Sequence, residues 1–129
     1  MNESEIKEML LNGESATLEC KRAKSEVPKS VWETYSAFAN TIGGTILLGI
    51  EENRKETDIK KRFQIIGVDD APKIVNDFWN TINSDKVNEN ILGSSDVDTI
   101  EINGIQIVYI HVPQADWSIK PVYLNGNVY

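Results

Sequence analysis

Residues 35–52, with the sequence YSAFANTIGGTILLGIEE, constrain the fold of this chain more than any other segment. The first part of this segment continues a helical pattern, because apolar residues recur every three or four positions on one face. These residues are Val31, Tyr35, Phe38, Ala39 and Ile42. Pro28 suits the first turn of such a helix, and Gly43 suits the left-handed position just beyond it. The spacing therefore predicts a helix over residues 28–42 that ends at a diglycine.

The apolar run after the diglycine predicts a strand over residues 45–51. Ile46, Leu47, Leu48 and Ile50 fall on both parities of a strand, so other elements should cover both of its faces. The strand leads directly into two carboxylates, Glu51 and Glu52. A buried strand that ends in charged residues brings those charges to the edge of the core.

The remaining chain adds further helical and strand patterns. Before the first main helix, a short amphipathic helix ends at residues 12–13 and a strand spans residues 17–22. After the buried strand, a polar connection covers residues 53–61 and an antiparallel strand spans residues 63–68. Pro72 then opens a second main helix. Asn103-Gly104 joins residues 97–102 and 105–112 in a hairpin. A second hairpin, residues 122–129, has a return strand too short to pair usefully. Together these patterns predict an α+β fold, with a mixed, largely antiparallel sheet, two main helices packed on it and a short N-terminal helix.

Length and composition indicate one domain. A chain of 129 residues is long enough to bury a core. No apolar run reaches the length of a membrane span, and the N-terminal residues are too polar for a signal peptide. The single cysteine, Cys20, excludes an intrachain disulfide and a cysteine-rich zinc site. We therefore expect a cytoplasmic protein with no membrane partner.

The charge distribution is more informative than the net charge of −7. Residues 21–62 contain nine of the 13 basic side chains and six acids, which leaves the remainder of the chain strongly acidic. A local excess of cations on an acidic chain favours a limited phosphate-binding patch over binding across the whole surface. The alternative interpretation is an ordinary solvated surface.

Two motifs carry a resemblance to a known family. ES-x-x-x-E-x-K at residues 14–21 and SAFANT-x-GG-T-x-LLGI-E-E at residues 36–52 are similar to the Schlafen AlbA-like domain. Weaker similarity extends to residues 65–67, 107–112 and 120–123, so the resemblance covers most of the chain. It implies an N-terminal domain of a longer bacterial regulator that contacts DNA or RNA. The candidate phosphate contacts are Lys21, Arg22, Lys24, Arg54, Lys55, Lys60 and Lys61.

The resemblance also implies an enzymatic alternative. Some members of the family cleave RNA with three carboxylates, which match Glu14, Glu19 and Glu52 here. Glu14, Glu19, Glu51 and Glu52 are then the candidate ligands of Mg²⁺ or Mn²⁺, an ion that polarises a phosphate and activates water. The competing interpretation is that Glu19 and Lys21, which share a face of one strand, form an ordinary surface pair.

Other candidate sites are weaker. Gly43-Gly44 does not suit a phosphate loop, because a helix leads into a strand there and no Gly-Lys-Ser/Thr follows; a helix stop with close packing is predicted instead. His111 is predicted to be structural, and Trp32 to pack in the core. Trp117, in a polar irregular segment, is a candidate for stacking on a base.

Two further expectations concern assembly. The short second hairpin indicates that more chain and further domains follow residue 129 in the parent protein, and a stop codon at that point would contradict this expectation. Exposed strand edges near the hairpins leave a homodimer or protein-interaction module as a third hypothesis. A monomer at high concentration would count against it.

Overall fold

The helices lie where the periodicity predicted them, with one addition. The computed structural model describes residues 1–13, 17–124 and 126–129. Its α-helices are α1 (Glu3–Asn12), α2 (Ser30–Asn40), α3 (Ile59–Arg62) and α4 (Ala71–Ile82), and a 3₁₀ turn covers Ser94–Asp96. The single turn α3 lies in the segment predicted to be a polar connection. It forms because the Asp58 side chain accepts the Lys60 N–H at 3.0 Å and caps the turn.

The strands form one main sheet and two short ribbons. They are β1 (Leu18–Lys21), β2 (Gly44–Leu48), β3 (Ile50–Glu52), β4 (Phe63–Ile65), β5 (Val97–Ile102), β6 (Ile105–Val112), β7 (Tyr123–Leu124) and β8 (Asn127–Val128). The main sheet has the order β1-β2-β6-β5, with β1 parallel to β2 and the other pairs antiparallel. Strands β3 and β4 pair antiparallel, as do β7 and β8. The predicted α+β class with a mixed, largely antiparallel sheet is confirmed.

The main sheet separates two apolar cores. Successive residues of a strand face opposite sides, so Ile46 and Leu48 face α2 and α4, whereas Leu47 faces α1 and the β3–β4 ribbon. All three side chains are fully buried. The prediction that β2 is covered on both faces is confirmed. No helix in the described part of the chain has the length and apolar character needed to cross a bilayer.

The predicted continuous strand over residues 45–51 is wrong, because the chain breaks at Gly49. Gly49 has a φ of 100°, and a Cβ there would lie 3.0 Å from the carbonyl carbon of Gly67. Its carbonyl accepts hydrogen bonds from the N–H groups of Ile66 at 2.9 Å and Gly67 at 2.8 Å. The break turns β3 out of the main sheet, and it carries the two carboxylates onto the ribbon with β4.

The helix over residues 28–42 was predicted too long by two residues at each end. Ile42, assigned to the buried face, is 67% exposed because the chain has left the helix before it. The role predicted for the diglycine is confirmed. Gly43 has a φ of 82° and its N–H donates to the Phe38 carbonyl at 2.8 Å, while Gly44 lies against the Phe38 ring, where a Cβ would be 2.7 Å from ring carbons.

The second hairpin pairs although its strands have two residues each, so the prediction that it could not pair is wrong. Tyr123 pairs with Val128, and Leu124 with Asn127. Helix α2 supplies the missing support. The Ser36 hydroxyl donates to the Val122 carbonyl at 2.7 Å, and the Tyr129 N–H donates to the Ser36 hydroxyl at 3.2 Å. The SAFANT motif thus binds the backbone on both sides of the hairpin.

Candidate nucleic-acid interface

The connection between β3 and β4, residues 53–62, gathers five basic side chains on one short loop. They are Arg54, Lys55, Lys60, Lys61 and Arg62. The loop is closed at its base, where the Asn53 N–H donates to the Arg62 carbonyl at 2.8 Å. Inside the loop, the Lys55 N–H donates to the Asn53 side chain at 3.1 Å. These two hydrogen bonds hold the backbone of the loop locally.

An open groove of about 540 Å³ lies between this loop and the ribbon. It is lined by Glu51, Glu52, Asn53, Lys60, Lys61, Arg62, Phe63 and Gln64. Lys60 and Lys61 are exposed. Their ammonium groups have no ion pair with any side chain among residues 1–13, 17–124 and 126–129. Two unpaired lysines beside a groove can contact an anion without first losing an internal partner.

Glu52 is the most deeply buried charged side chain beside this groove, with 6% of its side chain exposed. Its Oε1 atom accepts from Nε of Arg54 at 2.9 Å, and its Oε2 atom accepts from Nε of Arg62 at 2.9 Å. A buried carboxylate requires such partners, because leaving it unpaired would be strongly unfavourable. Both oxygens of Glu52 are thus engaged by guanidinium groups.

Glu51 also lines the groove, and it connects the groove to Arg22 beyond the end of β1. One of its oxygens lies 3.8 Å from Nη1 of Arg22. On β1, Nζ of Lys21 lies 3.8 Å from Oε1 of Glu19, and only 14% of the Lys21 side chain is exposed. Lys21 is therefore the predicted phosphate contact that solvent reaches least. Lys24, beyond β1, is exposed and its carbonyl accepts from the Asp69 N–H at 2.8 Å.

The predicted metal site is only partly within the described residues. Glu14 lies outside them, so the convergence of three carboxylates stays a prediction. Within the described part of the chain, no group of three or more His, Cys, Asp or Glu side chains is placed to hold a metal ion. Glu19, Glu51 and Glu52 each have a basic group within 4 Å. Glu19 forms the pair with Lys21 that was its alternative interpretation, and the metal site stays a prediction.

The two tryptophans considered as candidate base-stacking residues differ in exposure to solvent. Trp32 is buried and stacks on Phe78 with ring centroids 4.8 Å apart, so its predicted role in the core is confirmed. Trp117 is 85% exposed, and Nζ of Lys120 lies 4.9 Å from its ring centroid. Asp116 holds this turn by accepting from the N–H and hydroxyl of Ser118, both at 3.0 Å, and these bonds lower the pKa of Asp116. Base stacking on Trp117 stays a prediction.

His111 is exposed. It lies near the end of β6, opposite Thr45, and its predicted structural role stays a prediction. The side chain is exposed because helix α1 covers only part of this sheet face. On β6, helix α1 shares a core with Ile107 and Tyr109, and His111 lies further along the same face of the sheet.

Arg62 is the residue of this region that the sequence did not single out as a contact. Only an indirect sequence signal points to Arg62. Glu52 ends a predicted strand, Arg54 follows it closely, and Arg62 lies ten positions after Glu52. That spacing brings Glu52 and Arg62 together only if the intervening chain returns antiparallel. The register does this, because Glu52 pairs with Phe63, the residue after Arg62.

Comparisons with known proteins agree with this fold. The family model of the Schlafen, AlbA_2 domain matches residues 14–129. A solution NMR structure of the N-terminal domain of a protein related to the ATP-dependent DNA helicase RecG, from Nitrosomonas europaea, is similar with a TM-score of 0.69 and 29% identity. The similarity covers 94% of this chain and 84% of that one. No curated protein matches this chain.

A second solved structure shows the fold alone. The crystal structure of the DIP2311 protein from Corynebacterium diphtheriae has a TM-score of 0.57 and 17% identity. The similarity covers 95% of this chain but 23% of that protein. The same arrangement of helices and strands therefore occurs as a part of a much longer chain.

Proposed function

The chain belongs to the Schlafen AlbA_2 family, and we propose that it binds the phosphate backbone of DNA or RNA through the groove beside the β3–β4 connection. The observation that carries this proposal is the pair of exposed lysines, Lys60 and Lys61, next to Arg62 in that groove; neither lysine has an ion partner among the residues that the structure describes. Phosphate contacts of this kind hold nucleic acid without reading its sequence.

The charge of the rest of the molecule supports a local contact and weak binding. The net charge is −7, so most of the surface repels a polyanion. Lys55 extends the patch along the same loop, and Lys24 lies beyond the Arg22–Glu51 pair. An interface built on a few lysines should weaken steeply as salt rises, because each phosphate contact releases a condensed counterion.

The neighbour from Nitrosomonas europaea supports the same class of function. Its name relates the whole protein to a DNA helicase, and the matching part is its N-terminal domain. We propose that this chain likewise serves as the N-terminal domain of a longer cytoplasmic regulator, in which another module supplies base specificity. The parent reading frame tests this proposal, and a stop codon directly after Tyr129 would contradict it.

The binding test compares two double variants of equal charge. Lys60→Glu with Lys61→Glu alters the groove. Lys29→Glu with Lys86→Glu alters two exposed lysines that line a different groove, beside Trp32. Fluorescence anisotropy with a labelled single-stranded oligonucleotide and with a duplex of the same length measures affinity between about 50 mM and 200 mM NaCl.

We expect the groove variant to lose at least about tenfold in affinity and to lower the salt dependence by the equivalent of about two phosphate contacts. The control variant should lose much less. Equal losses in both variants would show that net charge alone matters, and an unchanged groove variant would show that the patch is an ordinary solvated surface.

A further inference from the structure

Glu52 lies where the sequence predicted a catalytic carboxylate, but its contacts are with arginine side chains. It is nearly buried and its two oxygens accept from Nε of Arg54 and Nε of Arg62, both at 2.9 Å. Two guanidinium groups therefore contact one carboxylate. A divalent ion at Glu52 would have to displace at least one of them.

We infer that Glu52 is a positioning residue that holds Arg62 in place to bind a phosphate of the nucleic-acid backbone. This inference rests on the proposed function and assigns one residue of the groove a defined contact. Arg62 is the phosphate ligand, and Glu52 acts through it.

The geometry of Arg62 supports this role. Only Nε is used by Glu52, and Nη1 and Nη2 have no hydrogen-bond partner among residues 1–13, 17–124 and 126–129. A guanidinium is planar, so one fixed N–H also fixes the direction of the remaining donors. The Arg62 side chain is 36% exposed and lines the same groove as Lys60 and Lys61. Two donor groups in one plane match two oxygens of a phosphate.

The backbone of Arg62 is held as well. Its carbonyl accepts from the Asn53 N–H at 2.8 Å, and the next residue, Phe63, pairs with Glu52 across the ribbon. The backbone of Arg62 and Nε of its side chain are therefore both held beside the end of β3. A pre-positioned arginine loses less conformational entropy on binding than a free one.

A comparison of Glu52 with neighbouring Glu51 separates two explanations, an effect of net charge and the positioning of Arg62. For the removal of Glu52, the two explanations predict opposite changes in binding affinity. If charge alone governed binding, removing either carboxylate would reduce repulsion and strengthen binding. If Glu52 positions Arg62, Glu52→Gln weakens binding instead, because the amide group turns an N–H donor toward one of the two arginines. Glu51→Gln releases only Arg22, which is 3.8 Å from its carboxylate.

The experiment measures the affinity of the parent and three variants for a labelled single-stranded oligonucleotide by anisotropy, in EDTA so that divalent ions do not contribute. We expect Glu52→Gln and Arg62→Lys each to weaken binding by about three- to tenfold, although Arg62→Lys keeps the charge. Glu51→Gln should bind more tightly than the parent, because it removes a negative charge from the groove without releasing Arg62. The double variant Glu52→Gln/Arg62→Lys should be no weaker than the weaker single variant, because the two residues act as one unit.

Two outcomes would overturn the positioning role: Glu52→Gln binding as tightly as Glu51→Gln, or Arg62→Lys binding like the parent. If Glu52→Gln does not fold by circular dichroism, Arg62→Lys decides alone, since Glu52 keeps its bond to Arg54 there. Failure of the proposed function looks different. In that case the parent does not bind, or the Lys60→Glu/Lys61→Glu variant binds like the parent.

Discussion

Asn40 and Val122 bind each other through two hydrogen bonds between positions 82 residues apart. The Val122 N–H donates to Oδ1 of Asn40 at 2.7 Å, and the Asn40 amide donates to the Val122 carbonyl at 3.0 Å. The same amide group also donates to the Tyr129 carbonyl at 3.2 Å. Asn40 thus satisfies backbone groups that the two-residue strands of the last hairpin leave unpaired.

Asn40→Ala should destabilise the protein by about 2–3 kcal/mol, because it leaves the N–H of buried Val122 without a partner. Asn76→Ala, at an exposed position of helix α4, is the matched control and should change the free energy of unfolding by less than about 0.5 kcal/mol. Urea unfolding monitored by tryptophan fluorescence measures both. Equal effects would show that the contact contributes nothing specific.

Gly43→Ala should be considerably more destabilising than Gly104→Ala. Both glycines have a positive φ, 82° and 80°, so both substitutions introduce backbone strain of about 1–2 kcal/mol. A Cβ at Gly43 would also lie 2.7 Å from the Val112 carbonyl oxygen, whereas a Cβ at Gly104 meets nothing within 4 Å. The difference between the two variants in chemical denaturation isolates the clash, which we expect to add about 1–3 kcal/mol. Similar stabilities would mean that the chain relaxes around Gly43.

Alkaline pH should destabilise the protein partly through Tyr35. Burial raises the pKa of Tyr35 from 10.0 to about 12, and its hydroxyl donates to the Glu89 carbonyl at 2.7 Å. Because the folded state resists ionisation of this phenol, its contribution is complete below pH 10 and is lost as the pH rises from 10 to about 12. The full loss is on the order of 2–3 kcal/mol.

Urea unfolding at pH 8 and near pH 11 tests this dependence in the parent and in Tyr35→Phe. The variant should be less stable at pH 8, because the Glu89 carbonyl loses its donor. Between the two pH values, however, the parent should lose about 1 kcal/mol more than the variant. If both proteins lose the same free energy, other groups account for the alkaline effect.

Trp117→Phe should remove the tryptophan that solvent reaches most while leaving stability within about 0.5 kcal/mol of the parent. Trp117 is 85% exposed and Trp32 is 7% exposed, so the remaining emission should shift to shorter wavelength and resist quenching by acrylamide. Trp32→Phe is the comparison and should lower stability, because it reduces the stacked contact with Phe78. Unchanged quenching in Trp117→Phe would show that the turn packs against the protein in solution.

Millimolar Mn²⁺ should not raise the melting temperature of the parent protein, because Glu52 already binds two arginines and Glu19 lies beside Lys21. A bound ion at a hundredfold excess over its Kd would add about 2.7 kcal/mol, which a melting curve detects easily. A shift that disappears in Glu19→Gln, together with cleavage of a structured RNA, would instead establish a metal-dependent nuclease.

The sequence by itself determined the main helices and strands, but not the break at Gly49, the turn α3 or the exposure of Ile42. Helices α2 and α4, the doubly covered strand β2 and the Asn103-Gly104 hairpin follow from periodicity and turn chemistry, which act over a few neighbouring residues. The excess of basic side chains within residues 21–62 was also visible in the composition. These features can be predicted without knowing which distant segment of the chain packs against each element.

Tertiary structure decided which side chains meet. The turn at Gly49 depends on contact with Gly67, and it moves Glu52 from the main sheet to the ribbon, where Arg62 lies beside it. Asn40 pairs with Val122 because the fold brings together two positions that lie 82 residues apart. A carboxylate in a sequence has no defined partner, and its chemistry as metal ligand or arginine anchor is set by the charges that folding brings within hydrogen-bond distance.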